Sequence, residues 1–308
     1  MTTANASTPD TKTLSGRSGP RGSLNGWSRR HLAWLGLLPF LAYSTVFLVV
    51  PGISVAVSAF HTQSGRFTTT YVVALWHGQF LAANENSIEL AVVTALSGGI
   101  VGLLAAYCVI TLDRPRWLRS FVTTFSGVAA NFAGVPLAFA FVATLGTTGA
   151  VTKLLANDLG INLDKLGFSL ASVTGLSVVY TYFQVPLMVL LVAPAIDGLR
   201  SEWREAASNL GASGMRFWRH VGLPILAPSI LGAMVLLFAS AFAAYATAVA
   251  LTSGLVTLVP TMIGSYLSGN VIVDPQMGQA LGLDMIVILL AAVSAYLPLQ
   301  RRASRWSR

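Results

Sequence analysis

Uncharged apolar runs divide this 308-residue chain into segments of membrane-crossing length. Residues 32–60, 90–112, 120–152 and 166–196 each contain no Asp, Glu, Lys or Arg. Each exceeds the roughly 20 residues that traverse the hydrocarbon core of a bilayer. Residues 221–273 are also uncharged, but that stretch is too long for one crossing. It reads as a helix over 227–251 followed by an outer-face segment broken by Gly254, Pro260, Gly269 and Asn270. A last apolar run, 277–299, is interrupted only by Asp284. The pattern predicts an all-α polytopic membrane protein with six transmembrane helices. A closed β-barrel is disfavoured because the runs are continuously apolar and do not alternate.

Composition agrees. Charged residues are 10% of the chain and mean hydropathy is +0.69, whereas soluble domains carry about 25% charged residues. The few charges are placed unevenly. Lys12, Arg17, Arg21, Arg29 and Arg30 precede the first run, and Arg114, Arg116 and Arg119 separate the second from the third. Arg200, Arg204, Arg216 and Arg219 follow the fourth run, and Arg301, Arg302, Arg305 and Arg308 follow the sixth. With six crossings, 16 of the 19 basic residues fall on one side, leaving Arg66, Lys153 and Lys165 on the other. The positive-inside rule then places both termini in the cytoplasm. The net charge of +8 therefore reports topology. Nucleic-acid binding is not expected, because the basic residues are scattered over four short segments without interleaved aromatics.

Residues 1–30 are rich in Ser, Thr, Gly and Pro and read as a disordered cytoplasmic tail. Residues 31–60 read as an uncleaved first helix, since a signal-peptide core is much shorter. Residues 300–308 form a basic cytoplasmic tail. Cys108 is the single cysteine, which excludes an internal disulfide, and it reads as a small packing residue. His31, His61, His77 and His220 form no i, i+4 pair, so no metal site is expected.

The polar segment between the fourth and fifth runs carries the most information. Ile196, Leu199, Trp203, Ala206 and Leu210 recur at three- and four-residue steps, the stripe of an amphipathic helix. Gly211 and Ser213-Gly214 stop that helix, and a second helical stretch carries Phe217, Trp218 and Val221 before Leu223-Pro224 opens the next span. Physically this is a pair of short helices with apolar anchors and a polar rim, suited to a groove on a partner protein. An interfacial helix with its arginines on lipid phosphates would have the same composition.

The residues themselves favour the first reading. Glu205-Ala206-Ala207, then Gly211, then Val221-Gly222-Leu223-Pro224 resembles the EAA loop of inner-membrane permeases of binding-protein-dependent ABC importers. Val221, where that family usually has Ile, is the single conservative departure. The resemblance implies a MetI-like transmembrane domain over 87–299 with its coupling loop at 198–224, the helix at 31–60 being additional. It implies a permease subunit, not an enzyme, in a bacterial inner membrane. Its partners would be ABC ATPase subunits, a second permease chain, identical or related, and an external solute-binding protein. No GxxxxGK[ST] loop occurs, so no cofactor is expected here and ATP would be bound by the partner ATPase. The phrases Ala195-Ile196-Asp197-Gly198-Leu199 and Leu258-Val259-Pro260-Thr261-Met262-Ile263-Gly264 are similar to the branch importing polyamines, phosphonates, sulfate or ferric iron.

Ionisable groups inside a span are functional candidates. Asp284 is the clearest, and Glu89 lies at the outer end of the second span. Asp284 with Tyr245 and Asn131 forms the predicted solute path, in which a carboxylate would suit a cationic or zwitterionic cargo such as a polyamine or aminophosphonate. Interhelical hydrogen bonding is the competing role for Asn131, Gln184 and Tyr245. A self-contained secondary transporter is the alternative function, and a membrane anchor without transport a third. The first of these would call for paired intramembrane charges or internal repeats, which the sequence does not show.

Overall fold

A computed structural model describes residues 36–111, 116–163, 165, 167–268 and 274–303. The expected tail over 1–30 and residues 304–308 of the basic tail lie outside these. The chain divides into two units, Met1–Ile53 and Ser54–Arg308. The first helix, α1 (Gly36–Ser58), contains a π turn at Thr45–Val49, and its apolar side chains are unburied. A helix that is apolar all round suits lipid rather than a packed core.

The regular structure in the described part of the second unit is helical, apart from one antiparallel bridge between His61 and Phe67, with turns and loops between the helices. After a short helix α2 (Thr70–Ala74) come α3 (Gly78–Thr111), α4 (Arg116–Asn131), α5 (Val135–Leu145) and α6 (Ala150–Asp158). They are followed by α7 (Val173–Asp197) and α8 (Ser201–Asn209). Next come α9 (Gly214–Phe242), α10 (Tyr245–Thr252), α11 (Val259–Ser268) and α12 (Pro275–Ala303). Among the described residues six helical stretches are long and apolar enough to cross a membrane.

The centre of the bundle is α7 packed along α3, with α4 and α9 also against α7. Small residues permit this approach. A Cβ added at Gly98 would lie 2.6 Å from the Gln184 Cβ, and one at Gly102 would lie 2.6 Å from the Met188 Cβ. The four-residue spacing puts both glycines on one face of α3, as in other close membrane crossings. Most polar groups at the seam are paired, the buried Gln184 Oε1 being an exception. Ser97 and Thr181 share a 2.8 Å hydrogen bond, and the buried Gln184 donates to Thr94 at 2.8 Å. Thr94 in turn donates to the Leu90 carbonyl, so the seam exposes few unmet donors to lipid. Gln184 therefore serves interhelical hydrogen bonding.

Several expected boundaries are corrected. The second span starts at Gly78, not residue 90, because Glu85 and Glu89 sit exposed on the extra turns of α3. The run 120–152 is not one span but α4, α5 and part of α6. Gly134 (φ 78°) breaks it first, and Gly146 and Gly149 break it again. By length and hydropathy 135–158 could cross alone. However, Arg119 in the first turn of α4 bonds Asp197 at the end of α7, so α4 starts at the face where α7 ends. We therefore assign that crossing to α4 and α5, of 16 and 11 residues.

The fifth span is shifted towards its start. It runs unbroken from Gly214 to Phe242 and stops at Ala243-Ala244, rather than covering 227–251. Pro260 does not break the outer segment; it occupies the first turn of α11, where a missing N–H costs nothing. Ser253 (φ 49°) and Gly254 (φ 84°) make the actual break, while Gly269 and Asn270 lie outside the described residues. The last helix extends beyond 277–299 to Pro275–Ala303. Cys108 is exposed on α3 instead of packed.

Candidate coupling site and solute path

Between α7 and α9 the chain leaves the bundle as α8, turns back at Gly211 and re-enters as the first turn of α9. The turn is a complete Schellman motif. The Ala212 amide donates to the Ala207 carbonyl and the Gly211 amide to the Ser208 carbonyl, both at 2.9 Å. Gly211 sits at φ +74° with open space around it, so backbone conformation alone calls for glycine there. Ser213 caps the returning helix, its hydroxyl accepting from the Arg216 amide. Arg204 of α8 lies over the ring of the buried Phe217 at 5.8 Å and ties the two arms together.

The returning arm is fixed by aromatics. Trp218 meets Tyr107 of α3 edge-on at 4.8 Å. A Cβ at Gly222 would lie 2.6 Å from the Trp218 ring, so the Gly222 within Val221-Gly222-Leu223-Pro224 is needed for the indole to fold back. The π turn at Trp218–Gly222 immediately precedes Pro224. The helix changes pitch where the proline ring cannot donate, and thereby continues. Val221 and Pro224 are half-buried, and Leu223 is exposed.

The predicted apolar stripe is only half anchored. Ile196 is buried and Leu199 half-buried, but Trp203 and Ala206 are exposed and Leu210 is 87% exposed. Met215, across the turn, is 80% exposed. Glu205 is exposed and Ala207 half-buried. The anticipated anchors thus become an outward apolar tip. The helical stripe runs past the protein surface, and among the described residues none covers its last side chain, Leu210. Met215 was missed in the sequence, and Gly222 was read only as part of the loop pattern, without its contact to Trp218. The signal for Gly222 was present, a glycine four residues after a tryptophan on one helix.

The path candidates are not gathered into one site. Asp284 lies nine residues into α12, about 14 Å of helix from Pro275. It is half-buried near the Asn84 side chain of α3, and its Oδ2 meets no protein donor. Tyr245 does not belong to the fifth span; it opens α10 and packs on Gly264 of α11. It lines a groove of about 390 Å³ with Pro260, Ile263 and Met285, the neighbour of Asp284. Asn131 ends α4, exposed, with its amide on the Gly127 carbonyl of the same helix. Glu89 is exposed on α3.

Two interruptions that the sequence did not announce lie beside each other. The Gly134 amide, freed by the α4–α5 break, donates to the buried Thr247 hydroxyl at 2.9 Å. The Ala244 carbonyl, freed by the α9–α10 break, accepts from Tyr180 at 2.6 Å. Backbone released inside a membrane protein needs such partners.

These features define a polytopic helical membrane protein with a rigid, apolar-tipped helical loop projecting from one face. Residues 98–305 match the family described as the binding-protein-dependent transport system inner membrane component. The chain belongs to that family. It is 27% identical over 163 residues to the sulfate transport system permease protein CysT of Salmonella typhimurium, covering 52% of this chain and 54% of the relative. It is 27% identical over 185 residues to a spermidine/putrescine transport system permease protein PotC homolog of Mycoplasma genitalium, covering 60% and 58%. The chain spans little more than half the length of each. In fold it is similar to a bacterial alginate ABC transporter solved in complex with an alginate pentasaccharide-bound periplasmic protein. That match has a TM-score of 0.71 and 20% identity, with 89% of this chain and 96% of the other covered.

Proposed function

We propose that the α8–α9 loop seats an ATPase subunit, so that ATP bound and hydrolysed on that partner drives solute through the helices of this chain. The exposed Leu210 and Met215 on a bend fixed by the Schellman turn carry this reading. A pair of apolar side chains on a rigid knob, with Glu205 at its edge, has the form of a helix-in-groove ligand. A second permease chain completes the pathway, and an external solute-binding protein delivers the cargo, as the periplasmic protein bound to the alginate transporter suggests. The excess of basic residues in the segments flanking the spans supports a cytoplasmic position for both termini and the loop.

The cargo is a small polar solute. The named relatives transport sulfate or spermidine and putrescine. Asp284, with an unpaired carboxylate oxygen inside a span, favours the cationic or zwitterionic class, polyamines and aminophosphonates, over sulfate. No basic side chain pairs with it among the described residues, which leaves the paired charge of a secondary transporter without support. The test is uptake into proteoliposomes holding the permease pair, ATPase and binding protein. ATP-dependent uptake of a polyamine or aminophosphonate supports the proposal; uptake without ATP, or of sulfate alone, contradicts it.

A further inference from the structure

Beneath the coupling loop, two cavities of opposite character join. One, of about 630 Å³, is walled by apolar side chains of α3 and α9, among them Leu103, Leu104, Leu226 and Ile230. The other, of about 220 Å³, is polar and includes Asp197, Arg200, Ser201 and Arg204. Ile196, Arg204 and Phe217 line both, so an apolar slot opens directly onto an arginine-bearing mouth. Among the described residues Asp197 is taken by Arg119, and neither Arg200 nor Arg204 pairs with a carboxylate; each lies over an aromatic ring.

The slot lies at the membrane boundary. Tyr107 is four residues from the end of α3, Ile196 one from the end of α7, and Trp218 in the second turn of α9. Tyr and Trp side chains characteristically mark the headgroup level. A ligand fitting both parts has a long apolar body and an anionic head. A protein segment would bring backbone polar groups into an apolar slot, where they would lose water without finding donors. A free anion would leave the slot wet.

We infer that this composite cavity binds an anionic phospholipid of the cytoplasmic leaflet, an acyl chain in the apolar slot and the phosphate on Arg200 and Arg204. Met215 of the exposed tip lines the edge of the apolar slot, whereas Leu210 lines neither cavity, so the lipid would lie beside the tip and leave Leu210 to the ATPase. The lipid would brace the root of the loop against α3.

The test uses the assembled transporter, purified and exchanged into equal amounts of phosphatidylglycerol and phosphatidylcholine with the same chains. Retained lipid is counted by native mass spectrometry. The wild type should keep phosphatidylglycerol preferentially. Arg200→Gln/Arg204→Gln should lower that preference roughly thirtyfold. Ile230→Trp, which fills the slot and leaves both arginines, should also release the lipid. An unchanged thermal unfolding temperature and a monodisperse elution profile in detergent show that each variant is folded. Retention that ignores headgroup charge overturns the inference, as does retention unchanged in both variants. Displacement of the lipid by glycerol phosphate as effectively as by phosphatidylglycerol would overturn it in favour of a headgroup-only site. Loss of the lipid whenever the ATPase or the second permease is bound would assign the slot to that partner and overturn it too.

Discussion

Tyr180 reaches from the middle of α7 to the carbonyl of Ala244, 2.6 Å away, at the point where α9 ends and α10 begins. The tyrosine is fully buried, so this hydroxyl is what meets a backbone acceptor released by a helix break within the bundle. Tyr180→Phe keeps the ring and removes only the donor. An unsatisfied buried carbonyl costs about 1–3 kcal/mol, and the variant should unfold at lower temperature in detergent than the wild type. An unchanged melting temperature would show that Ala244 finds another donor.

Close packing of α3 on α7 makes a sharper comparison possible within one chain. Gly102→Ala would push a methyl to 2.6 Å from both the Met188 Cβ and the Val185 carbonyl. It should destabilise by about 1–3 kcal/mol through overpacking. Gly127 on α4 has open space around it, so Gly127→Ala should be neutral or gain up to about 1 kcal/mol of helix propensity. Thermal unfolding of the two variants side by side checks the ordering.

At the bend of the coupling loop, Gly211→Ala places a side chain at φ +74° where nothing obstructs it. The cost is backbone strain of about 1–2 kcal/mol, and the expected readout is ATPase association weakened roughly tenfold with normal membrane insertion. Gly211→Asn should fall between, because Asn tolerates the left-handed region better. Equal affinity for all three proteins would show that the bend does not position the tip.

Sidedness is checked by labelling single cysteines in a Cys108→Ser background. Arg66→Cys should react from outside the cell and Ser120→Cys from the cytoplasm. The same sidedness at both positions would remove the six-crossing topology.

For the solute path, Asp284→Asn in the assembled transporter should lose cargo uptake while keeping ATPase and binding-protein affinity. Unchanged uptake would leave Asp284 as a packing residue of the α3–α12 contact without a role in the path.

Most of the helices were legible because lipid demands long uncharged runs, a requirement that a sequence displays directly. Their ends were less so. Glu85 and Glu89 do not terminate α3, since helix can continue past the bilayer into water. Pro260 begins a helix instead of ending one. The breaks at Gly134 and Ala244 depend on Thr247 and Tyr180, more than 60 residues away in the chain, and no local pattern carries that information. The turn of the coupling loop was readable from Gly211, because a left-handed C-cap has a strong residue preference. Which way its apolar stripe faces was not. Leu210 has the same spacing whether it packs on its own bundle or waits for a partner, and only the end of the supporting surface decides between the two.

The central claim is that this exposed tip is the ATPase seat. The direct measurement is the affinity of the purified full-length permease pair for its ATPase, with wild-type protein and with Leu210→Asp. The substitution falls on a side chain that is 87% exposed, so folding and insertion should be untouched. The account predicts that a charge buried in the partner's groove costs at least roughly tenfold in affinity, with ATP-driven uptake falling in step. Wild-type affinity and uptake in Leu210→Asp would contradict it.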